Sequence, residues 1–276
     1  MDTIFMLIGL FICLFIIYLF LIMPAFDRRC AKDFRRKLTG KRRLIAHRGL
    51  HFADKVPENS LAAFSRAREA GYGIELDVRL TSDGVPVVFH DDGASRMCGA
   101  DKLIKDMTFE EVKNLRLLGT EERIPTFQEA LSVIGGAVPL LVEIKCTKFD
   151  NKLCEKTAVL LDTYPGEYII ESFHPMAVHW FQQNRRQIVR GQLVYSFSKE
   201  EKKKNFSYRL LEKLLLNLFS RPDFIAYPKS GYRSLALSLC AKAFGCMKFV
   251  WTASSLEEAE KLLGSADAVI FEKGSL

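Results

Sequence analysis

The sequence predicts an α/β fold, a TIM (β/α)8 barrel preceded by a single N-terminal transmembrane helix. Three observations carry that expectation. Residues 3 to 26 contain no charged side chain. Beyond residue 43, short β-branched runs alternate with helical stretches, the βα rhythm that builds parallel sheets. Ionisable residues also recur near the ends of strand-like runs that are otherwise apolar, where a packed core does not tolerate a lone charge.

The first 26 residues form the membrane anchor. At about 1.5 Å rise per residue, the 24 residues from Thr3 to Phe26 cover a hydrocarbon layer roughly 30 Å thick. A cleaved secretory signal fits less well, because Met1-Asp2 carries no positive n-region and the apolar run is long for an h-region. Residues 27–42 read as a basic juxtamembrane linker. Nine cations (Arg28, Arg29, Lys32, Arg35, Arg36, Lys37, Lys41, Arg42 and Arg43) face only Asp27 and Asp33, and this excess equals the whole formal net charge of +7. The positive-inside rule then places the following domain on the cytoplasmic side. The rest of the chain is nearly neutral, so its pI of 9.0 is no nucleic-acid footprint. Seven cysteines without a CxxC pair fit reduced thiols and no disulfide framework. An extended chain over residues 24–42 would reach roughly 60 Å, so either end of the barrel could meet the bilayer.

Residues 43–276 are the barrel domain. Strand candidates are Arg43–His47, Gly73–Thr81, Val85–His90, Leu140–Lys145, Tyr168–Ser172, Ile188–Tyr195, Phe224–Tyr227, Phe249–Thr252 and Ala268–Phe271. The third follows the second through Asp83-Gly84, too short a connection for a crossover helix, so one early unit is irregular. An open doubly wound sheet is the structural alternative. A leucine-rich helix over Phe206–Phe219, preceded by Lys202, Lys203 and Lys204, packs on the outside of the barrel or touches the bilayer.

The chemistry lies in four short motifs. Ile74-Glu75-Leu76-Asp77-Val78 alternates with period two, and Leu140-Leu141-Val142-Glu143-Ile144-Lys145 repeats the device on another strand. Inward carboxylates repel one another unless a cation sits between them. Glu75, Asp77 and Glu143 therefore suit an all-oxygen site for one hard divalent ion, Mg²⁺ or Ca²⁺. His47 and His90 end their strand runs and are the candidate acid and base. Arg48 and Lys145 are candidate phosphate contacts, and Phe173 and Trp251 candidate walls of a substrate pocket. Pro57-Glu58-Asn59-Ser60 reads most simply as a helix cap. There is no phosphate-binding Gly-x-x-x-x-Gly-Lys loop, dinucleotide fingerprint or Gly-x-Ser-x-Gly elbow.

Taken in order, Ala46-His47-Arg48-Gly49, Pro57-Glu58-Asn59-Ser60, Glu75-Leu76-Asp77, His90-Asp91, Ile124-Pro125-Thr126, Glu143-Ile144-Lys145, Ser172-Phe173 and Val250-Trp251-Thr252 resemble the glycerophosphodiester phosphodiesterases. The resemblance implies a barrel that hydrolyses glycerophosphodiesters to glycerol 3-phosphate and an alcohol. It implies a divalent metal at Glu75, Asp77 and Glu143, acid and base at His47 and His90, and phosphate contacts at Arg48 and Lys145. Two departures stand out: Phe271-Glu272 where the family usually carries Thr-Asp, and Ser60 for the commoner Thr. Neither is expected to touch the metal or histidine set. The substrate is a soluble glycerophosphodiester or, in a lysophospholipase D-like reaction, a membrane lysophospholipid. Rival readings are a phosphatidylinositol-type phospholipase C and a non-catalytic, membrane-tethered barrel that binds lipid headgroups.

Overall fold

The computed structural model describes residues 2–26, 29–52, 55–146, 148–195, 206–230 and 234–272. All nine candidate runs form strands: β1 (Leu44–Ala46), β2 (Gly73–Leu80), β3 (Pro86–Val88), β4 (Leu140–Ile144), β5 (Tyr168–Ser172), β6 (Val189–Leu193), β7 (Phe224–Pro228), β8 (Met247–Ala253) and β9 (Ala268–Phe271). They join one sheet in the order β1-β9-β8-β7-β6-β5-β4-β2-β3, and β1 also pairs with β2. That last pairing, Ile45 with Gly73 and Ala46 with Ile74, closes eight parallel strands into a barrel and removes the open-sheet alternative. β3 runs antiparallel to β2 as the irregular early unit, pairing Val78 with Val88.

Twelve α-helices are described: α1 (Asp2–Ile22), α2 (Arg29–Lys37), α3 (Leu61–Ala70), α4 (Ser95–Cys98), α5 (Phe109–Val112), α6 (Phe127–Ile134), α7 (Asn151–Asp162), α8 (Pro175–Asn184), α9 (Phe206–Glu212), α10 (Asn217–Ser220), α11 (Leu235–Phe244) and α12 (Leu256–Leu262). Their starts follow ordinary capping chemistry. Ser60, Ser234 and Ser255 each accept a backbone N–H three residues on, and Thr126 forms a capping box with Glu129. The leucine-rich stretch is two short helices, because Leu214 adopts φ +60° between α9 and α10 and turns the chain there. Lys202, Lys203 and Lys204 lie outside the described residues.

The barrel interior is apolar at its base, the N-terminal ends of the strands, and ionisable at its rim. Leu141, Ile169, Val189, Phe224, Met247, Phe249 and Ala268 fill the base. Packing is tight there: a Cβ on Gly191 would stand 2.1 Å from the Phe224 ring, so only glycine fits beside that ring. Ala31, Phe34 and Leu38 join the same cluster, so α2 stops the base of the barrel. The segment expected to be a linker is thus largely helical and packed, because three of its residues recur at i, i+3 and i+7 and form an apolar stripe. Its cations are not all free in solvent: Arg35 pairs with Asp267 and Lys37 with Glu167.

The length and exposure of α1 agree with a membrane span. Thr3–Ile22 is one helix long and apolar enough to cross a bilayer, and Thr3 to Ile17 are exposed throughout. The last turn is different. Ile22 is buried, its carbonyl accepts from Asn217 Nδ2 at 2.9 Å, and Ala25 N donates to Pro222 O. Truncating the plug tests whether α2 belongs to the folded unit. Phe34→Ala should lower unfolding stability by about 3 kcal/mol in urea denaturation, within the range for a buried aromatic.

Candidate active site

β2 and β4 lie side by side with Asp77 opposite Glu143, which puts their carboxylates on the same inner face at the rim. One oxygen each from Glu75, Asp77 and Glu143 falls within 4.8 Å of the others, and all three side chains are buried. Burial and mutual repulsion dominate their titration. Glu75 is pushed well above the usual carboxylate range by burial and by Asp77 and Glu143. Glu143 rises to about 7, burial outweighing the attraction of Lys145. Asp77 goes the other way: Lys145, His90, Arg48 and Asn59 together overcome its burial.

Two cations partly offset this charge. Lys145 Nζ stands 3.1 Å from Asp77 Oδ1 and 2.9 Å from Glu143 Oε1. Arg48 Nη1 binds Glu58 Oε1 at 2.8 Å, and its Nε lies 3.6 Å from Asp77 Oδ2 without a hydrogen bond. The Arg48 backbone N–H donates to Glu75 Oε2 at 2.7 Å, from a left-handed conformation with φ +54°. Gly49 follows at φ +80°, and a Cβ there would meet Ala63 at 2.8 Å. The His-Arg-Gly motif is therefore a tight turn that aims one backbone donor at a buried carboxylate.

The donor set fits a hard divalent cation. Three carboxylates share a buried cluster of low dielectric, and among the described residues buried Asp77 Oδ1 has no hydrogen bond despite the nearby ammonium of Lys145. An oxygen-only cluster with lone pairs to spare is what Mg²⁺ or Ca²⁺ requires.

Both histidines are oriented by carboxylates. His47 Nδ1 is 2.7 Å from Glu272 Oε1, and His90 Nδ1 is 2.7 Å from Asp91 Oδ1. In each case the bond fixes Nδ1 and leaves Nε2 for proton transfer. Burial lowers the affinity of His90 for a proton, with Asp77 and Asp91 opposing. Glu272 corrects an expectation: the departure at the last strand does touch the histidine set, because this glutamate is the partner of His47. Asp91 is gripped by Arg96 at 2.6 Å, and Arg96 also binds Glu58, which links both histidine loops to Arg48.

The remaining motifs act as supports. Ser60 caps α3 as expected, whereas Asn59 donates from Nδ2 to Asp77 Oδ2 at 2.8 Å and so steadies a carboxylate of the cluster. Pro125 O accepts from Val88 N, which ties the Ile-Pro-Thr turn to the strand leading to His90. His47, Arg48, Glu75, His90, Glu143, Lys145, Phe173 and Trp251 all line one cavity of about 220 Å³, together with Glu171, Leu193 and Tyr195. Trp251 packs edge-on against Phe173 and stacks with Tyr195, and its buried Nε1 has no hydrogen-bond partner among the described residues. Glu171 was missed from sequence. It is buried, pushed well up by burial and by Glu143 and Glu75, and its Oε2 has no hydrogen bond among the described residues. The signal was present: a lone charge in the apolar run Tyr168-Ile169-Ile170.

A sequence profile of the Glycerophosphoryl diester phosphodiesterase family matches residues 47–272. The chain belongs to this family. Its matched range opens at His47 and ends at Glu272, the hydrogen-bonded pair. Among curated relatives, a glycerophosphodiester phosphodiesterase of Caldanaerobacter subterraneus is 46% identical over 112 residues, 37% of this chain and 44% of that protein. Human glycerophosphodiester phosphodiesterase 1 is 30% identical over 158 residues, 52% of this chain and 46% of that protein. The chain thus spans less than half the length of these two relatives. Among solved structures, an Oleispira antarctica phosphodiesterase in complex with sn-glycerol-3-phosphate aligns with TM-score 0.70 at 28% identity, covering 86% of this chain and 94% of that one. A glycerophosphodiester phosphodiesterase from Thermotoga maritima aligns with TM-score 0.61 at 28% identity, covering 83% and 93%.

The Asp91 network has a testable pH signature. Burial alone would raise Asp91, but hydrogen bonds from Arg96 and then His90 bring it down to about 2, against about 3.9 for an unfolded aspartate. A depressed folded value stabilises above the unfolded one and is lost as pH falls between them. Asp91→Asn should cost on the order of 1 kcal/mol at neutral pH, discounted for solvent screening, and the gap to the parent should close between pH 4 and 2 in denaturation series.

Proposed function

We propose that this chain is a membrane-anchored, metal-dependent phosphodiesterase that hydrolyses glycerophosphodiesters to glycerol 3-phosphate and an alcohol. One observation carries this reading: Glu75 and Glu143, with an Asp77 oxygen within 4.8 Å of theirs, and two carboxylate-oriented histidines converge on a single cavity that also holds Arg48 and Lys145. Glu75, Asp77 and Glu143 would hold one divalent ion, Mg²⁺ or Ca²⁺, which when bound would polarise the phosphoryl group and lower the pKa of an attacking hydroxyl. Arg48 and Lys145 orient the phosphoryl oxygens. Of His47 and His90, one takes the proton of the attacking hydroxyl at Nε2 and the other returns one to the leaving alcohol oxygen. Glu272 and Asp91 keep Nδ1 protonated, so each ring offers the correct nitrogen. Phe173 and Trp251 form the apolar wall of the substrate pocket.

Residues 1–26 act as the anchor, 27–42 join it to the barrel, and 43–276 are the catalytic domain. The packed last turn of α1 supports retention of the helix, because cleavage after it would uncover Leu214, Leu237 and Cys240 around Ile22. The cation excess after the span supports a catalytic domain on the cytoplasmic side. A glycerophosphodiester that keeps one acyl chain, a lysophospholipid, is a substrate compatible with that anchorage.

Release of glycerol 3-phosphate from glycerophosphocholine and glycerophosphoethanolamine tests the activity, with choline release from lysophosphatidylcholine as the lipid arm. His47→Ala and His90→Ala should each lower kcat/KM by roughly 10²–10⁴. Excess EDTA should abolish turnover, and Mg²⁺ or Ca²⁺ should restore it. Binding of these diesters without turnover would leave a headgroup-binding barrel instead. Metal binding has its own readout: one of the two ions should raise the Tm of the parent chain and leave that of Asp77→Asn unmoved.

A further inference from the structure

α1 is not a free tether. Its last residues descend the outer flank of the barrel antiparallel to β7. Ala25 bonds to Pro222 just below the start of β7, and Arg221 and Asn217 donate to the carbonyls of Met23 and Ile22. One and a half turns earlier, Tyr18 shares a cleft with Glu212, Tyr227, Ser234 and Leu235, at the rim end of β7 and the first turn of α11. The helix therefore leaves the barrel past the rim that carries the active site, and the exposed residues Thr3 to Ile17 project beyond it.

Length then fixes the height of the rim. Those 15 projecting residues make about 22 Å of helix, short of a hydrocarbon layer of roughly 30 Å. The shortfall is removed when the rim itself settles through the headgroup layer to the edge of the hydrocarbon. The side chains around the exit suit that position. Leu235 is 72% exposed, Phe206 66% and Tyr195 46%. Tyr195 is also part of the aromatic wall of the cavity with Trp251 and Phe173, on the β5, β6 and β8 side where α1 lies. Tyrosine and tryptophan are the residues enriched at membrane interfaces.

We propose that α1 holds the catalytic rim against the bilayer, so that the cavity takes its diester from the lipid surface with an acyl chain lying along the aromatic wall. This rests on the phosphodiesterase and anchor readings above and adds an orientation to them. For a single-chain glycerophospholipid the balanced step is hydrolysis. Water's oxygen bonds to phosphorus, the bond from phosphorus to the headgroup alcohol breaks, and a proton goes to the leaving oxygen. The products are acylglycerol phosphate and free alcohol. The rival orientation puts the base on the membrane, where α2 exposes Arg29, Lys32 and Arg36.

Spin-label depth separates the two. The full chain carrying Cys13→Ser, Cys98→Ser and Cys146→Ser is reconstituted in phosphatidylcholine–phosphatidylglycerol vesicles, its intact mass confirming that residues 1–26 are retained. A nitroxide is placed at Leu235→Cys in a Cys30→Ser background, or at native Cys30, which is exposed on α2. The ratio of collisions with oxygen to collisions with a water-soluble nickel chelate should be several-fold higher at Leu235→Cys than at Cys30. The reverse ranking, or water-like values at both, would overturn the orientation. Because depth is read without turnover, an inactive chain whose rim lies in the bilayer would sink the phosphodiesterase reading, and with it the uptake of a diester, and leave only the orientation standing.

Discussion

The buried repulsion among Glu75, Asp77 and Glu143 is the constraint on which the rest of the site depends. Three carboxylates within 4.8 Å are unfavourable in a medium of low dielectric, and the surrounding chain is arranged to make them tolerable. Lys145 rises from β4 between two of them, Arg48 supplies its backbone donor through a left-handed turn, and Asn59 binds Asp77 from a position next to a helix cap. Positive charge from a bound ion would complete the balance, which is why the cluster is legible as a cation site before any ion is considered.

The same logic extends outward in a chain of charge-assisted bonds. Arg48, Glu58, Arg96, Asp91 and His90 form one continuous network, and His47 has its own partner in Glu272. Each link satisfies a group that would otherwise be buried or poorly oriented. Function and fold meet in this network, because the loops it joins follow different strands and it ties them to one another. The apolar base, sealed by α2, gives that rim a rigid footing.

Much of this was legible in the sequence. All nine strands and the hairpin through Asp83-Gly84 form where the motifs indicated, and the candidate site residues lie together at one end of the barrel, because period-two alternation and lone charges in apolar runs report directly on burial. Glu171 carried the same signal and was passed over, since it has no charged neighbour two residues away to form a visible pair. Glu272 and Asn59 were misjudged for a different reason. Their partners, His47 and Asp77, are distant in the chain or on another element, and local rules read them only as a departure at a strand end and a cap.

What the sequence determined by itself was the class of each segment: an apolar stretch, a cationic stretch, alternating strands and helices, and a set of candidate oxygen ligands with two histidines. Composition and periodicity depend on near neighbours, so they survive without coordinates. Tertiary structure alone decided that the sheet closes, that the cationic stretch stops the base of the barrel, that Glu272 orients His47, and that the apolar helix packs beside β7 toward the rim of the candidate site. Each of those is a contact between residues tens to hundreds of positions apart, and its energy exists only once the chain has brought them together.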